Sequence, residues 1–198
     1  MSIHSLNNSK RIGRRAAAFV IAMTGAVLSI FTAEKANAQS FGCAFGGFGA
    51  YMSGPEIVGI GTTGQLAGVA ASCGTVVNKV SLDAEISYAF VYGDTKDLVG
   101  VENELRLSGL VGYMITPRIK PYVHLDWVRL SGGDEHVDGY GYGVGTQFHL
   151  DGSVWADVRW THDVLDFAGS PVDITSDTIR VGLNFKFGAA PEVAKSLK

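Results

Sequence analysis

Charge is scarce in this sequence: charged residues make up 18% of its 198 positions, whereas 46% are hydrophobic and 26 are glycine. A chain this apolar is not disordered, and one this rich in glycine is not a helical bundle. Basic clusters are missing from most of it. The first 38 residues hold Lys10, Arg11, Arg14, Arg15 and Lys35 against one acid, Glu34, so the remainder carries 11 basic groups against 18 acids, a formal charge of −7. Nucleic acid is thereby excluded as a partner, because phosphate binding needs clustered Lys and Arg. A helical period is absent as well: beyond residue 39 no segment sustains a 3.6-residue repeat over three turns.

Long hydrophobic runs are also lacking. The apolar stretch 16–30 has fifteen residues and is interrupted by Thr24 and Gly25, short of the roughly 20 that cross a bilayer as a helix. Basic residues precede it at 10–15 and Ala36-Asn37-Ala38 follows, so residues 1–38 read as a secretory signal peptide cleaved before Gln39. Residues 57–78 carry no charge over 22 positions, but half of them are Gly, Thr, Ser, Gln or Asn, which fits loop and strand.

What is present is alternation with a period of two, the signature of a strand with one apolar and one polar face. In 80–92, Val80, Leu82, Ala84, Ile86, Tyr88, Phe90 and Tyr92 alternate with Ser81, Asp83, Glu85, Ser87, Ala89 and Val91. The pattern recurs over 104–113, 122–128, 140–150, 154–161 and 179–187. Two Gly-broken candidates at 43–52 and 65–73 bring the count to eight. These lengths suit strands that cross a bilayer at a tilt. Connections at 53–64, 93–101, 131–138 and 165–176 are long and polar, while 116–118 and 151–152 are tight and 74–78 is intermediate. Long and short connections thus fall at opposite ends. The expected fold is all-β: an eight-stranded antiparallel up-and-down transmembrane β-barrel over 39–187, with a short periplasmic tail at 188–198.

The two faces decide the solvent. Eight strands enclose an interior that side chains just fill, so the large aromatics Trp127, Trp160, Tyr88, Phe90, Tyr113, Phe148, Phe185 and Phe187 belong outside. The opposite faces carry Asp83, Glu85, Glu104, Asp126 and Asp157 with Arg106, Arg159, Arg180 and Lys186, plus His124, a mixture suited to pairing across a closed lumen. Glu85 and Arg106, on consecutive strands, are expected to pair. Cys43 opens the first strand and Cys73 ends the second, so a hairpin centred near Val58 places them opposite each other. An exported protein meets an oxidising compartment, and a disulfide is expected.

The final strand is more specific. Arg180-Val181-Gly182-Leu183-Asn184-Phe185-Lys186-Phe187 resembles the C-terminal assembly signal of Gram-negative outer-membrane proteins, with Arg180, Gly182, Phe185 and Phe187 at its marked positions. With the export signal and the strands, the chain resembles the small outer-membrane barrels of the opacity-protein and OmpA/OmpX type, a porin-like class. The resemblance implies an outer-membrane location, membrane lipid and lipopolysaccharide as surroundings, and the barrel-assembly machinery as a partner during biogenesis. The chain runs 11 residues beyond Phe187, too few for a peptidoglycan-binding domain.

No catalytic set, cofactor site or metal site can be named. A lipid A deacylase would need a His-x-Ser pair, whereas the histidines beyond residue 38 read His124-Leu125-Asp126, His136-Val137-Asp138, His149-Leu150-Asp151 and His162-Asp163-Val164. The His-x-Asp triplets fix no ligand geometry, and His124 with Asp126 fits a lumen network. The expected function is therefore structural or surface-interacting, with a lumen plugged by charged side chains. The alternatives are a narrow pore or small-ligand barrel and, below that, a lipid A-modifying enzyme. The long loops and their margins carry Asp94, Asp97, Glu102, Asp134, Glu135, Asp138, Asp166, Asp173 and Asp177 against Lys96 alone. Such a rim would repel anionic lipopolysaccharide unless Ca²⁺ or Mg²⁺ bridged the two.

Overall fold

The computed structural model describes residues 40–57, 60–93, 96, 100–133, 135–166 and 174–188. The expected signal peptide, nearly all of the expected tail, and Asp94, Asp97, Asp134 and Asp173 lie outside these residues. The described chain is eight strands: β1 (Ser40–Ile57), β2 (Ile60–Val77), β3 (Val80–Tyr92), β4 (Asn103–Tyr113), β5 (Ile119–Gly132), β6 (Glu135–Asp151), β7 (Val154–Asp166) and β8 (Ile174–Gly188). Each pairs antiparallel with its neighbour in sequence, and β1 pairs with β8 to close the barrel. Closure leaves no strand edge, so the backbone N–H and C=O groups are satisfied within the sheet. That is the condition for strands in hydrocarbon.

The surface is inverted relative to a protein in water. Leu125, Phe187 and Phe185 are 60%, 60% and 56% exposed, while Asp126 and Arg159 are 0% and 2% exposed. Exposed aliphatic and aromatic side chains ring the outside while ionised groups lie inside, so the medium around the strands is lipid.

Several strands exceed their expected limits. β1 and β2 run through most of 53–64, and β5 and β6 meet across 133–134, so these long connections are hairpins. Polarity marks where a strand leaves the apolar belt; its ladder of hydrogen bonds continues past that point. β7 likewise extends to Asp166, which carries Asp163 and Leu165 into the interior. At the opposite end the β2–β3 turn holds Asn78 and Lys79 at φ values of 49° and 75°, the left-handed geometry that two-residue hairpins favour.

Two expectations about the interior need correction. Phe48, Tyr122 and Trp155 point inward and are buried, so large aromatics do not all face outward. Room for Tyr122 comes from β6, whose inward positions Gly141, Gly143 and Gly145 bring no side chain. A β-carbon at Gly145 would overlap the Tyr122 ring, and one at Gly143 would come within 2.7 Å of His124 Nε2. Gly145→Val is expected to cost about 2 kcal/mol or more by overpacking. The cost should shrink when Tyr122 is also replaced by Leu, as measured by urea unfolding of the single and double variants. The second correction is that charge does not fill the lumen throughout. Met52, Leu66, Val91, Leu130 and Leu165, towards the long-connection ends of their strands, form a buried apolar layer with Val101 of the β3–β4 connection and with Phe48, Ala70, Ala89 and Val128.

Cys43 and Cys73 are direct cross-strand partners and form a disulfide. The bridge ties β1 to β2 on the outward face, next to the β1–β8 closure where Cys43 also opposes Phe187. It braces a strand weakened by Gly42, Gly46, Gly47 and Gly49. Replacing both cysteines with serine is expected to lower stability by about 2 to 4 kcal/mol, the usual value of a native cross-link. Maleimide labelling of the unreduced, denatured protein should find no free thiol.

Candidate functional site

Inward-facing side chains of β3 to β8 supply the charged groups of the lumen, and the barrel's register decides which of them meet. Arg106 is the hub of the group nearer the long connections. Its Nε donates to Glu104 Oε1 at 3.0 Å, Nη1 to Asp126 Oδ2 and Asp163 Oδ1 at 2.8 Å each, and Nη2 to Asp163 Oδ2 at 2.9 Å. His124 places Nδ1 3.0 Å from both Asp126 oxygens and Nε2 3.3 Å from the Trp160 carbonyl. Three carboxylates therefore share one guanidinium and one imidazole.

The second group lies nearer the short turns. Arg159 and Arg180 are direct cross-strand partners, and like charges so placed repel. Glu85 resolves this by reaching across the lumen between them. It accepts from Arg159 Nη1 and Nη2 at 2.9 and 3.1 Å, and Arg180 Nη1 lies 3.0 Å from Glu85 Oε1. Arg159 Nε donates to the Tyr122 hydroxyl at 2.9 Å, and that hydroxyl donates to Asp157 at 2.9 Å. Arg180 is less well satisfied: its Nε has no hydrogen-bond partner, and the guanidinium stacks 3.8 Å above the Phe48 ring.

Closest to the short turns, Lys120 Nζ donates to Asp83 at 2.8 Å. Lys186 Nζ donates to Gln147 Oε1 at 2.8 Å and sits 3.7 Å over the Trp155 ring. The three groups follow one another along the lumen: acid-rich, balanced, then base-rich.

Every expected lumen residue (Asp83, Glu85, Arg106, His124, Asp126, Asp157, Arg159, Arg180 and Lys186) does lie inside, but the expected Glu85–Arg106 pair does not form. The β3–β4 register sets Arg106 opposite Ser87 and Glu85 opposite Ser108, and each charge finds its partners across the lumen. Glu104, Asp163, Lys120, Tyr122, Gln147 and Asn184 are inward as well, with several serine and threonine side chains. Tyr122, Gln147 and Asn184 fall on the polar faces of the alternation as read; continuing it past residue 161 and before residue 122 would have found Asp163 and Lys120.

The acidic rim is corrected in part. Asp138 is opposite Arg129 and accepts from its Nε and Nη2 at 2.7 and 3.0 Å, and Asp177 is bonded to His162 Nδ1 at 3.0 Å. Lys96 is therefore not the sole cation there, because the β5–β6 pairing brings Arg129 to the same level. Glu102, Glu135 and Asp166 are exposed. Among the described residues no group of three or more His, Cys, Asp or Glu side chains is arranged to hold a metal ion. On β8, Arg180 and Gly182 face inward while Phe185 and Phe187 face outward, on the strand that closes against β1.

No protein-family model and no curated protein matches the sequence. Solved structures do match. Neisserial surface protein A is 16% identical, with 74% of this chain and 97% of that one aligned at a TM-score of 0.50. The N-terminal β-barrel domain of Pseudomonas aeruginosa OprF is 19% identical over 73% and 97% of the two chains, with a TM-score of 0.45. Ail, the attachment invasion locus protein of Yersinia pestis, is 12% identical over 76% and 100%, also with a TM-score of 0.45. At such identities the likeness is one of fold. Taken with the closed sheet and its apolar exterior, the likeness to Neisserial surface protein A identifies the chain as having the fold of the small eight-stranded outer-membrane β-barrels.

Proposed function

We propose that the protein is an integral outer-membrane barrel with a structural or surface-interaction role in the Gram-negative envelope, sealed along its axis. The observation that carries this reading is the lumen itself: an apolar layer followed by ion-paired groups in which arginine and lysine side chains cross the interior. Eight strands leave little space beyond that filling, and a general diffusion pore needs a much wider barrel. Function then resides in the outward surface and the strand ends. Lipid and lipopolysaccharide are the proposed surroundings, with divalent cations held weakly at the exposed Glu102, Glu135 and Asp166. Most charged side chains of the lumen pair with one another, and among the described residues no nucleophile and base are aimed at a common open position, which favours this reading over a lipid-modifying enzyme.

The location is tested by expressing the full chain in a Gram-negative host and separating the membranes by density. The protein is expected in the outer-membrane fraction, extracted only with detergent, and migrating faster on gels unboiled than boiled. Recovery in the soluble fraction without detergent would refute the reading.

A further inference from the structure

The lipid-facing surface is not uniform. A groove of about 850 Å³ crosses it from β3 to β7, a volume in the range of sites that hold small organic ligands. Its floor is the cross-strand row Pro121, Thr146 and Val158, whose side chains are short. Tyr113 and Phe148 wall it towards the short turns and Trp160 walls the other end. The surrounding Val111, Val123 and Val144 are 49%, 56% and 54% exposed, so the whole groove lies in the apolar belt.

At the short-turn end the groove meets two basic residues. Val80, which lines it, follows Lys79 directly, and the Lys79 carbonyl accepts from Met114 N at 2.8 Å, which holds the β2–β3 turn against the β4–β5 connection. Arg118 lies on that connection. Its carbonyl accepts from His149 N at 2.8 Å, beside the groove wall at Phe148. The one acid on the neighbouring β6–β7 turn is Asp151. An apolar trough ending in an excess of positive charge at the membrane surface matches a molecule with a hydrocarbon chain and an anionic head.

We propose that this groove is a phospholipid site in the leaflet at the short-turn end, holding one acyl chain over Pro121, Thr146 and Val158 and the headgroup phosphate at Lys79 and Arg118. The recognised class is an anionic phospholipid. Each basic residue near the membrane surface favours anionic lipid by about fivefold, with Asp151 offsetting part of that preference.

The test uses the full barrel in nanodiscs of equal phosphatidylglycerol and phosphatidylethanolamine, released into native mass spectrometry. The expected result is one retained lipid, phosphatidylglycerol over phosphatidylethanolamine by about fivefold or more. Lys79→Gln with Arg118→Gln should bring that ratio towards one while a lipid is still retained. Thr146→Trp, or Val158→Phe should the first fold poorly, fills the groove and should abolish retention of both lipids. The gel-shift assay confirms that each variant is folded. Equal retention of the two lipids by the unaltered protein would overturn the proposal. So would an unchanged ratio in the double variant, undiminished retention in the filled-groove variant, or a dimer mass in place of a lipid adduct.

Discussion

Arg106→Met is expected to be the most damaging single substitution in the lumen. Arg106 alone faces Glu104, Asp126 and Asp163, and its side chain is 5% exposed. Removing the guanidinium leaves three carboxylates in a closed interior with only His124 beside them. Breaking a buried ion pair by deleting one partner costs about 3 to 5 kcal/mol, and here one deletion strands three groups. We expect most of the variant to fail to refold from urea into detergent, and the folded remainder to unfold at lower urea than the parent. Adding Asp163→Asn should recover part of the loss, because Asp163 is the bidentate partner. A refolding yield for Arg106→Met equal to the parent's would contradict the assigned network.

The second large effect concerns Arg159 and Glu85. Arg159→Met removes the bidentate bond to Glu85 and the bond to the Tyr122 hydroxyl, at an expected cost of about 3 kcal/mol. Glu85 retains Arg180, which keeps this below the Arg106 case. Glu85→Gln should cost a similar amount, because it leaves the cross-strand neighbours Arg159 and Arg180 unscreened from each other. The double variant should be more stable than the sum of the two losses implies, with a coupling of about 1 to 3 kcal/mol in the urea midpoints. Strict additivity would mean that the two groups do not interact.

These pairings show which parts of the molecule the sequence discloses. The alternation of 80–92 sets Glu85 and Asp83 apart from Tyr88 and Phe90, and one-face assignments of that kind were enough to define the barrel and its lumen. Cys43 and Cys73 were legible for a related reason: they lie on consecutive strands of one hairpin, and the one-residue shift of register between Ser53 and Glu56 leaves them directly opposite each other. Glu85 with Arg159 was not legible. They are 74 residues apart in sequence, on strands that meet only across the closed interior, where barrel tilt and stagger set the pairing. The apolar layer was hidden for another reason. The alternation sets Val91 on the inward face, but within the apolar run Phe90, Val91 and Tyr92 nothing marks it as part of a separate layer. Asp163 escaped because Thr161, His162 and Asp163 are polar in succession, which blurs the alternation of β7 where it continues inward.

The central claim is that the barrel spans a membrane while its lumen is closed, and planar-bilayer conductance tests it most directly. Gel-shifted, folded protein is added to a bilayer in concentrated KCl and current is recorded at potentials of both signs. A sealed lumen gives a flat baseline, without discrete steps at any potential the bilayer tolerates. Reproducible, ohmic steps of one size that rise in number with the protein added would show a continuous water path past Arg106, Arg159 and the apolar layer, and would contradict it.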